Sequence, residues 1–437
     1  MSGLRVGVDA TAAVALDEHD RIRAVRHGDT PARMLEQLLT RDIEAAVIDR
    51  VVAILPDPEP AELKAGARVA VLRIGAPATT AIPPLAAWPA RELAMLAGPV
   101  TVVRGGHEYD GRVSAPLDLA AVTEFAHGCA GIAGAVAVAG VHGLEYPEHE
   151  RLAAALLAEQ LSVPVIRGGE TEALGLLERE NTAVLDAAMT AAVDARIGEL
   201  TAVLSARQPN AELFVLRGDG TVLPAHRARR HATALIGAAR AAALHGAVRL
   251  AGTASAVVVE ARSDAAVVGR VRGGLLPGAG RLREIAGIRT GVRTPRPVVV
   301  SRRQAGFPDR FGAALARMRA GHDELPVVVL GDLADEIAGV PVIRPPDGEL
   351  AAVLGAATAE AAGSVDRIFW QGAGDRQESA NRARRLARDA AVRAGADPRT
   401  LRETPVRAAL TTYVPVPAAR LQVTAIGALL QPAPVTP

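Results

Sequence analysis

A single cysteine, Cys129, stands in 437 residues, which excludes an intramolecular disulfide framework and any cysteine-rich metal site, since both need several thiols. Its neighbours, HGCAGIAGAVAVAG, are small and apolar, and His127 is its nearest base along the chain, so it reads as a buried inert thiol. Lysine is as scarce: Lys64 is alone among 49 basic residues, the rest being arginine. P-loop and Schiff-base chemistry, which need a positioned ammonium, are thereby left almost no room. Aromatic residues amount to 2%, so the core must be built from Ala, Val and Leu. Basic and acidic residues nearly cancel, 49 against 48, for a formal charge of +1. No overall field draws nucleic acid or an anionic membrane. No window reaches the roughly 18 apolar residues of a membrane span. The opening MSGLRVGVDA also lacks the basic region and apolar run of a signal peptide. The expectation is a soluble cytoplasmic protein without nucleic-acid or membrane partners.

What is present is enough apolar material for a large core, 49% hydrophobic against 22% charged residues. The length suits two domains of roughly 150 to 250 residues each, with boundaries expected at 1–175 and 176–437. An apolar strand at Leu4 to Val8, further short apolar runs and a Thr-capped, Pro-started helix over Thr30 to Leu39 open the chain. Asp57 to Glu62 reads as a proline-broken loop, Arg68 to Ile74 as a strand and Ala76 to Pro89 as an irregular wall. Strand and helix then alternate to Ile166, which predicts an α/β domain. Gly175 to Leu204 is a long helical region. Beyond it, strands are predicted at Leu213 to Arg217, Ala256 to Glu260, Ala265 to Val271, Pro326 to Leu330 and Leu421 to Ala428. Helices are predicted at Thr233 to Leu244, Phe311 to Arg319, Leu350 to Ala362 and Gln377 to Ala394.

Two stretches echo each other. VGVDATAAVALD near the start and VVVEARSDAAVVGRV in the middle each run strand, acid, short turn, strand. Either an Ala/Val-rich chain repeats itself by accident, or an α/β fold is duplicated around a nucleotide cleft. Elsewhere His107, Glu108 and Asp110 form the densest polar cluster, which could ligate a metal or relay a proton with help from His149 or Glu150. Asp110-Gly111 also fits a plain hairpin turn.

The blocks GGHEYDG (105–111), PLD (116–118), HE (149–150), LLERENTAVLDAA (176–188), DGT (219–221), GSVDRI (363–368) and AGADP (394–398) resemble the hydantoinase/oxoprolinase A-type family. RVAVLRIGAPATTAIPPLAAWP (68–89) and GAVRLAG (246–252) add to the likeness, and the blocks occur in order almost end to end. The resemblance implies an α/β, two-domain actin/hexokinase/Hsp70-like fold, a duplicated ribonuclease H-like fold with an interdomain cleft. It further implies ATP-dependent opening of cyclic amides such as hydantoins or 5-oxoproline, with ATP and Mg²⁺ as cofactors. A B-type subunit and a small cyclic-amide substrate are the implied partners, and a homo-oligomer is open. Carried onto this chain, Asp9, Glu260, His107 and Glu108 would be catalytic, and Asp9 would hold the metal. Thr11, Arg262, Ser263, Asp264 and Gly331 would face the nucleotide, and Asp110, Glu180 and Asn181 the substrate.

The chain departs from that pattern where phosphate should sit. After Asp9 the family's Gly-Gly-Thr is replaced by a shorter ATAAVALD, and after Glu260 the glycine positions hold Arg262 and Ser263. ILPDP (54–58) stands for a Gly-Thr-Thr-His segment, and GDLAD (331–335) keeps one glycine, Gly331, of a Gly-rich loop. A side chain at such positions blocks the close backbone approach that a phosphate requires. Two expectations therefore stand together: an ATP-dependent cyclic-amide hydrolase, or a catalytically degenerate relative that acts as a scaffold, regulator or small-ligand binder.

Overall fold

The computed structural model describes residues 3–28, 30–44, 46–57, 68–171, 173–276, 282–295, 297–337, 339–370, 376–411 and 418–431. The expected loop Asp57 to Glu62 lies outside them beyond Asp57, as do Lys64 and nearly all of the C-terminal QPAPVTP.

Strands Leu4–Val8, Ala12–Leu16 and Ile22–His27 form an antiparallel meander. Val6, Val8 and the whole of Ala12–Leu16 are buried, so this part of the sheet is covered on both faces and shows no polar alternation. The helix Pro31–Gln37 follows, and Ile48–Ala53 returns parallel to the first strand. After a long excursion Glu212–Leu216 adds on, parallel to Ile48–Ala53. In space these five run third, second, first, fourth, fifth.

The second half repeats the plan. Ala256–Ala261 and Ala265–Val271 pair antiparallel, and Val298–Ser301 is antiparallel to the latter. The helix Phe307–Arg319 comes next, then Val327–Leu330 parallel to Ala256–Ala261, then Val342–Ile343 parallel to that. The spatial order is again third, second, first, fourth, fifth. Equal order, equal directions and a helix at the same step make the echo between the two hairpins the trace of a repeated fold.

Two helices join the halves back to back. Ala238–Leu250 lays Leu244, Ala247 and Val248 on the second sheet, and Ala351–Ala357 lays Val353, Leu354 and Ala357 on Ala12, Val14 and Leu16 of the first. Their backbones nearly touch: a Cβ on Gly246 would fall 1.7 Å from the Ala351 carbonyl oxygen, and one on Gly355 would fall 2.1 Å from that of Ala242. Glycine at both crossings sets how near the halves sit.

The excursion builds a separate four-stranded sheet from Val69–Ala76, Ala97–Arg104, Ala135–Gly140 and Val165–Arg167, all parallel. Its order is second, first, third, fourth. Helices Leu119–Cys129 and Glu148–Gln160 cover it around Leu72, Ile74, Phe125, Val138 and Leu157. Cys129 is part of that core, and burial pushes its thiol up to about 11, which agrees with an inert role. The boundary expected at 175/176 falls on Gly175, the N-cap of the long helix Leu176–Arg207.

Some expectations are corrected. The helix expected over Leu350 to Ala362 stops at Ala357, and Ala361–Trp370 is a strand paired along its length with Ala418–Gly427 and, at Ala361, with Val222–Pro224. Local alanine content favours helix there, but the ladder and the strand-favouring Val365, Ile368, Phe369 and Trp370 win. Gly363 belongs to this packing, since a Cβ would meet the Ala387 carbonyl at 2.4 Å on the helix Arg376–Arg393. That helix needs no large apolar side chain: it seats only Ala383, Ala387 and Ala391, spaced four apart, as its buried face. Ile48–Ala53, Val222–Pro224 and Val298–Ser301 are strands too short or too mixed in sequence to declare themselves.

Candidate functional site

The expected nucleotide residues sit on two hairpin turns at the carboxyl ends of the first strand of each half. At the first, the Asp9 amide donates to the Ala12 carbonyl at 3.0 Å. Asp9 Oδ1 accepts from the Thr11 amide at 2.7 Å, the Thr11 hydroxyl at 2.8 Å and the Ala12 amide at 2.8 Å. Asp9 and Thr11 are thus brought together, bonded to each other. An Asp holding its own turn in this way mimics backbone and takes up the Thr11 and Ala12 amides.

At the second turn the Arg262 amide donates to the Ala265 carbonyl at 2.8 Å. Arg262 Nε and Nη2 both reach Glu260 Oε1, at 3.0 and 2.8 Å. Arg302 then bridges the edge: its amide donates to the Asp264 carbonyl at 2.8 Å, and its guanidinium clasps Asp332 at 2.5 and 3.2 Å. That pairing holds the Asp332 carboxyl below the usual carboxylate range. Arg262, Ser263, Asp264 and Gly331 therefore share one edge; a Cβ on Gly331 would come 2.9 Å from Ala261 Cβ. Arg302 and Asp332 were not foreseen, since nothing local marks two residues 30 apart as partners. One carboxylate oxygen of Glu260, Oε2, is buried without a hydrogen-bond partner.

These residues do not fit a triphosphate. The turns carry side chains where the phosphate cradle needs bare backbone, and their guanidinium forks are engaged with Glu260 and Asp332. A third contact points the same way. Asp57, in the segment expected to supply a hydroxyl-rich loop, accepts a 2.7 Å hydrogen bond from the Gly237 amide at the start of helix Ala238–Leu250. Its carboxylate occupies the helix N-terminus, where the partial positive charge would otherwise favour a phosphate. The space lined there by Gly218, Gly237, Arg240 and Leu276 is about 30 Å³, room for about one water. A larger groove of about 620 Å³ lies along helix Phe307–Arg319 between Phe311, Leu315, Ile337 and Val340, and none of the expected site residues lines it. Among the described residues no three His, Cys, Asp or Glu side chains converge as metal ligands.

Glu180 and Asn181 are engaged in an internal network at the head of the long helix. Glu180 is fully buried and grips buried Arg73 through two 2.7 Å bonds, while its Oε1 also accepts from the Leu85 amide at 3.2 Å. Asn181 accepts from Trp88 Nε1 at 2.7 Å and donates to the Arg289 carbonyl at 2.9 Å. Arg179 donates to the Gly140 carbonyl at 2.7 Å, and Thr182 accepts from the Gly291 amide at 2.8 Å. The faithful ERENT block thereby ties the inserted sheet, the Ala76 to Pro89 wall and the 289–291 loop to one helix.

His107, Glu108 and Asp110 lie elsewhere, at the carboxyl edge of the inserted sheet. Asp110-Gly111 does form a turn, with Glu108 and Arg112 bonded across it at 2.7 Å. Asp110 pairs with Arg112 at 2.7 Å, which lowers its carboxyl. The loop folds back over the sheet: a Cβ on Gly106, φ +98, would lie 3.3 Å from Val141 Cβ and 3.7 Å from the Gly75 Cα. Gly75 ends the first strand with Ala76 and Val141 follows the third, where the strand order changes direction and ligands bind in parallel α/β sheets. His107 is 6% exposed and stands between Tyr146 and His149, ring centres 5.6 and 4.6 Å away. His149 Nδ1 accepts from the Gly106 amide at 2.9 Å. Glu150 is a brace, its carboxylate taking the Gly140 and Gly169 amides at 2.7 and 2.8 Å, and burial raises its pKa. Tyr146 and Trp370 were not foreseen here. Their rarity was the available signal, and only the fold brings Trp370 within 4.6 Å of Tyr109.

The repeated five-strand unit and the edge between its halves place the chain in the actin/hexokinase-like class of two-lobed α/β proteins. Two solved structures share the architecture. An ATP-dependent caprolactamase from Pseudomonas jessenii superimposes with a TM-score of 0.71 at 15% identity, covering 99% of this chain and 89% of that one. A nucleotide-free acetone carboxylase gives 0.63 at 10% identity, covering 100% and 89%. No curated protein matches the sequence. Residues 2–161 match the family model described as the hydantoinase/oxoprolinase N-terminal region.

Proposed function

We propose that this chain is a nucleotide-independent member of the hydantoinase/oxoprolinase family, a small-ligand-binding protein that has kept the two-lobed scaffold without ATP-driven amide chemistry. The support is one observation: both hairpin turns are closed by their own hydrogen bonds, and Asp57 lies on the adjoining helix N-terminus. The relative from Pseudomonas jessenii is ATP-dependent, and such chemistry needs backbone donors free to meet phosphate oxygens. Here the Thr11 and Ala12 amides are given to Asp9, the Arg262 amide to Ala265 and the Gly237 amide to Asp57. A B-type subunit is the macromolecular partner this reading carries, held through the intact scaffold.

Mg-ATP titrated into the purified chain, followed by calorimetry and by thermal unfolding, tests it. No heat and no shift in Tm are expected. A ligand at 100 times its Kd would stabilise by about 2.7 kcal/mol, easily seen. ATP turnover stimulated by a hydantoin, 5-oxoproline or a lactam would overturn the proposal in favour of a cyclic-amide hydrolase.

A further inference from the structure

The two halves differ at one step of their shared plan. In the first, the crossover from the fourth to the fifth strand carries the 32-residue helix Leu176–Arg207, which lies beside helix Pro31–Gln37. Its residues Val193, Ile197, Leu200 and Leu204 are buried, in one core with Met34, Leu35 and Leu38. The carboxyl ends of the two helices meet, Arg207 Nη2 lying 3.4 Å from Glu36 Oε1, so the helices run in the same direction. In the second half the helix at the same step is Phe307–Arg319, and the crossover is residues 331–341. Among the described residues of that crossover the single turn Leu333–Glu336 is the helical part. Between this short crossover and helix Phe307–Arg319 lies the groove of about 620 Å³, walled by Phe307, Phe311, Leu315, Ile337 and Val340.

The groove is open, apolar along its length and charged at its ends. Gly312 and Ala316 line it and are exposed, and a Cβ on Gly312 would meet nothing within 4 Å. Small residues there let a second helix axis approach to about 8–10 Å. Glu336 lines the amino end, where its charge reaches Arg302, itself bound to Asp332 and set over the Phe307 ring. Arg319, the last residue of the helix, lines the carboxyl end and gives Nη2 to the Asp323 carbonyl at 3.0 Å. Among the described residues neither Glu336 nor Arg319 is ion-paired. In the first half the corresponding helix end is matched, Glu36 against Arg207. We infer that the groove seats an amphipathic helix of another protein, laid parallel to Phe307–Arg319 as Leu176–Arg207 is laid along Pro31–Gln37, with an acidic residue near its carboxyl end against Arg319. Apolar residues of that helix spaced i, i+4, i+7 enter the groove, whose 13-residue wall offers about 20 Å of length.

The probes are two fluorescently labelled peptides followed by anisotropy against the full chain: VDARIGELTAVLSAR, the segment Val193–Arg207, and the same segment with Arg207→Glu. Both carry the apolar stripe that packs in the first half, and only the second ends on an acid. The Arg207→Glu peptide is expected to bind roughly fivefold more tightly than its parent, and the order should reverse on an Arg319→Glu chain. Gly312→Gln should weaken both peptides roughly tenfold by filling the groove. That variant keeps the fold, since it replaces an exposed helical glycine by a better helix former. Equal affinities of the two peptides, an order that survives Arg319→Glu, binding untouched by Gly312→Gln, or no anisotropy change up to about 1 mM would each overturn the inference. Self-association of the chain in sedimentation equilibrium, abolished by Gly312→Gln, would give the groove to a second copy and overturn it as well. None of these outcomes turns on nucleotide, because no hairpin residue lines the groove.

Discussion

At the first hairpin one oxygen of Asp9 accepts three hydrogen bonds from its own turn, whereas at the edge of the inserted sheet the buried Nδ1 of His107 has no partner. Both edges lie at the carboxyl ends of strands in α/β sheets, the usual place for ligands. The difference lies in where polar capacity has gone. At the hairpins Arg262, Arg302 and Asp57 pair at the surface with Glu260, Asp332 and the Gly237 amide. At the inserted sheet the positive-φ glycines Gly105 and Gly106 fold a loop over the sheet edge, and His107 Nδ1 is left without a partner. Each edge leaves one buried polar atom unmatched, Glu260 Oε2 at the second hairpin and His107 Nδ1 here, and each costs stability.

Mutations can break this comparison. The largest effect is expected deep in the sealed network: Glu180→Ala leaves Arg73 buried with its main partner gone, and chemical denaturation should show a loss of about 3–5 kcal/mol. Next is Asp186, fully buried on the same helix and pushed up to about 7 by burial, though it accepts the Thr233 amide at 2.7 Å. An acid whose pKa is raised on folding holds its proton more tightly when native. Its stabilising contribution is therefore complete below about pH 4, its unfolded value, and fades as pH rises through about 7. Urea midpoints measured from pH 4 to 7.5 should fall with pH in the wild type and fall less in Asp186→Asn.

Smaller effects separate the two edges directly. Asp9→Ala and Asp57→Ala should each lose about 0.5–2 kcal/mol, as removal of a capping side chain does, and neither should create affinity for ATP. His107→Phe should change stability by less than about 1 kcal/mol, because an apolar ring of similar shape removes the unmatched nitrogen. A loss above 2 kcal/mol on unfolding His107→Phe would place His107 with the sealed groups and erase the contrast.

Much of the architecture was legible in the chain. The alternation of strands and helices, the Thr30–Pro31 helix start and the echo of the two hairpins read correctly because each is a local pattern of apolar spacing and punctuation. The strand Ala361–Trp370 was hidden because its first residues are alanines that suit a helix equally well, and its identity comes from ten paired residues some 60 positions away. The site residues split along the same line. His107, Glu108 and Asp110 were visible as one polar block, whereas Tyr146, Trp370, Arg302 and Asp332 join their partners across long stretches of chain.

By itself the sequence determined what this protein could not be built from: one cysteine, one lysine and few aromatics remove disulfides, a P-loop and a bulky core. It also placed side chains at the turns where phosphate would need glycine. Those are statements about residue types and neighbours, and a chain carries them unaided. Whether each side chain is spent or available was decided only in three dimensions. A hydrogen bond such as Arg73 to Glu180 spans 107 residues, and no local pattern reveals that a carboxylate already has its partner or that an imidazole has none.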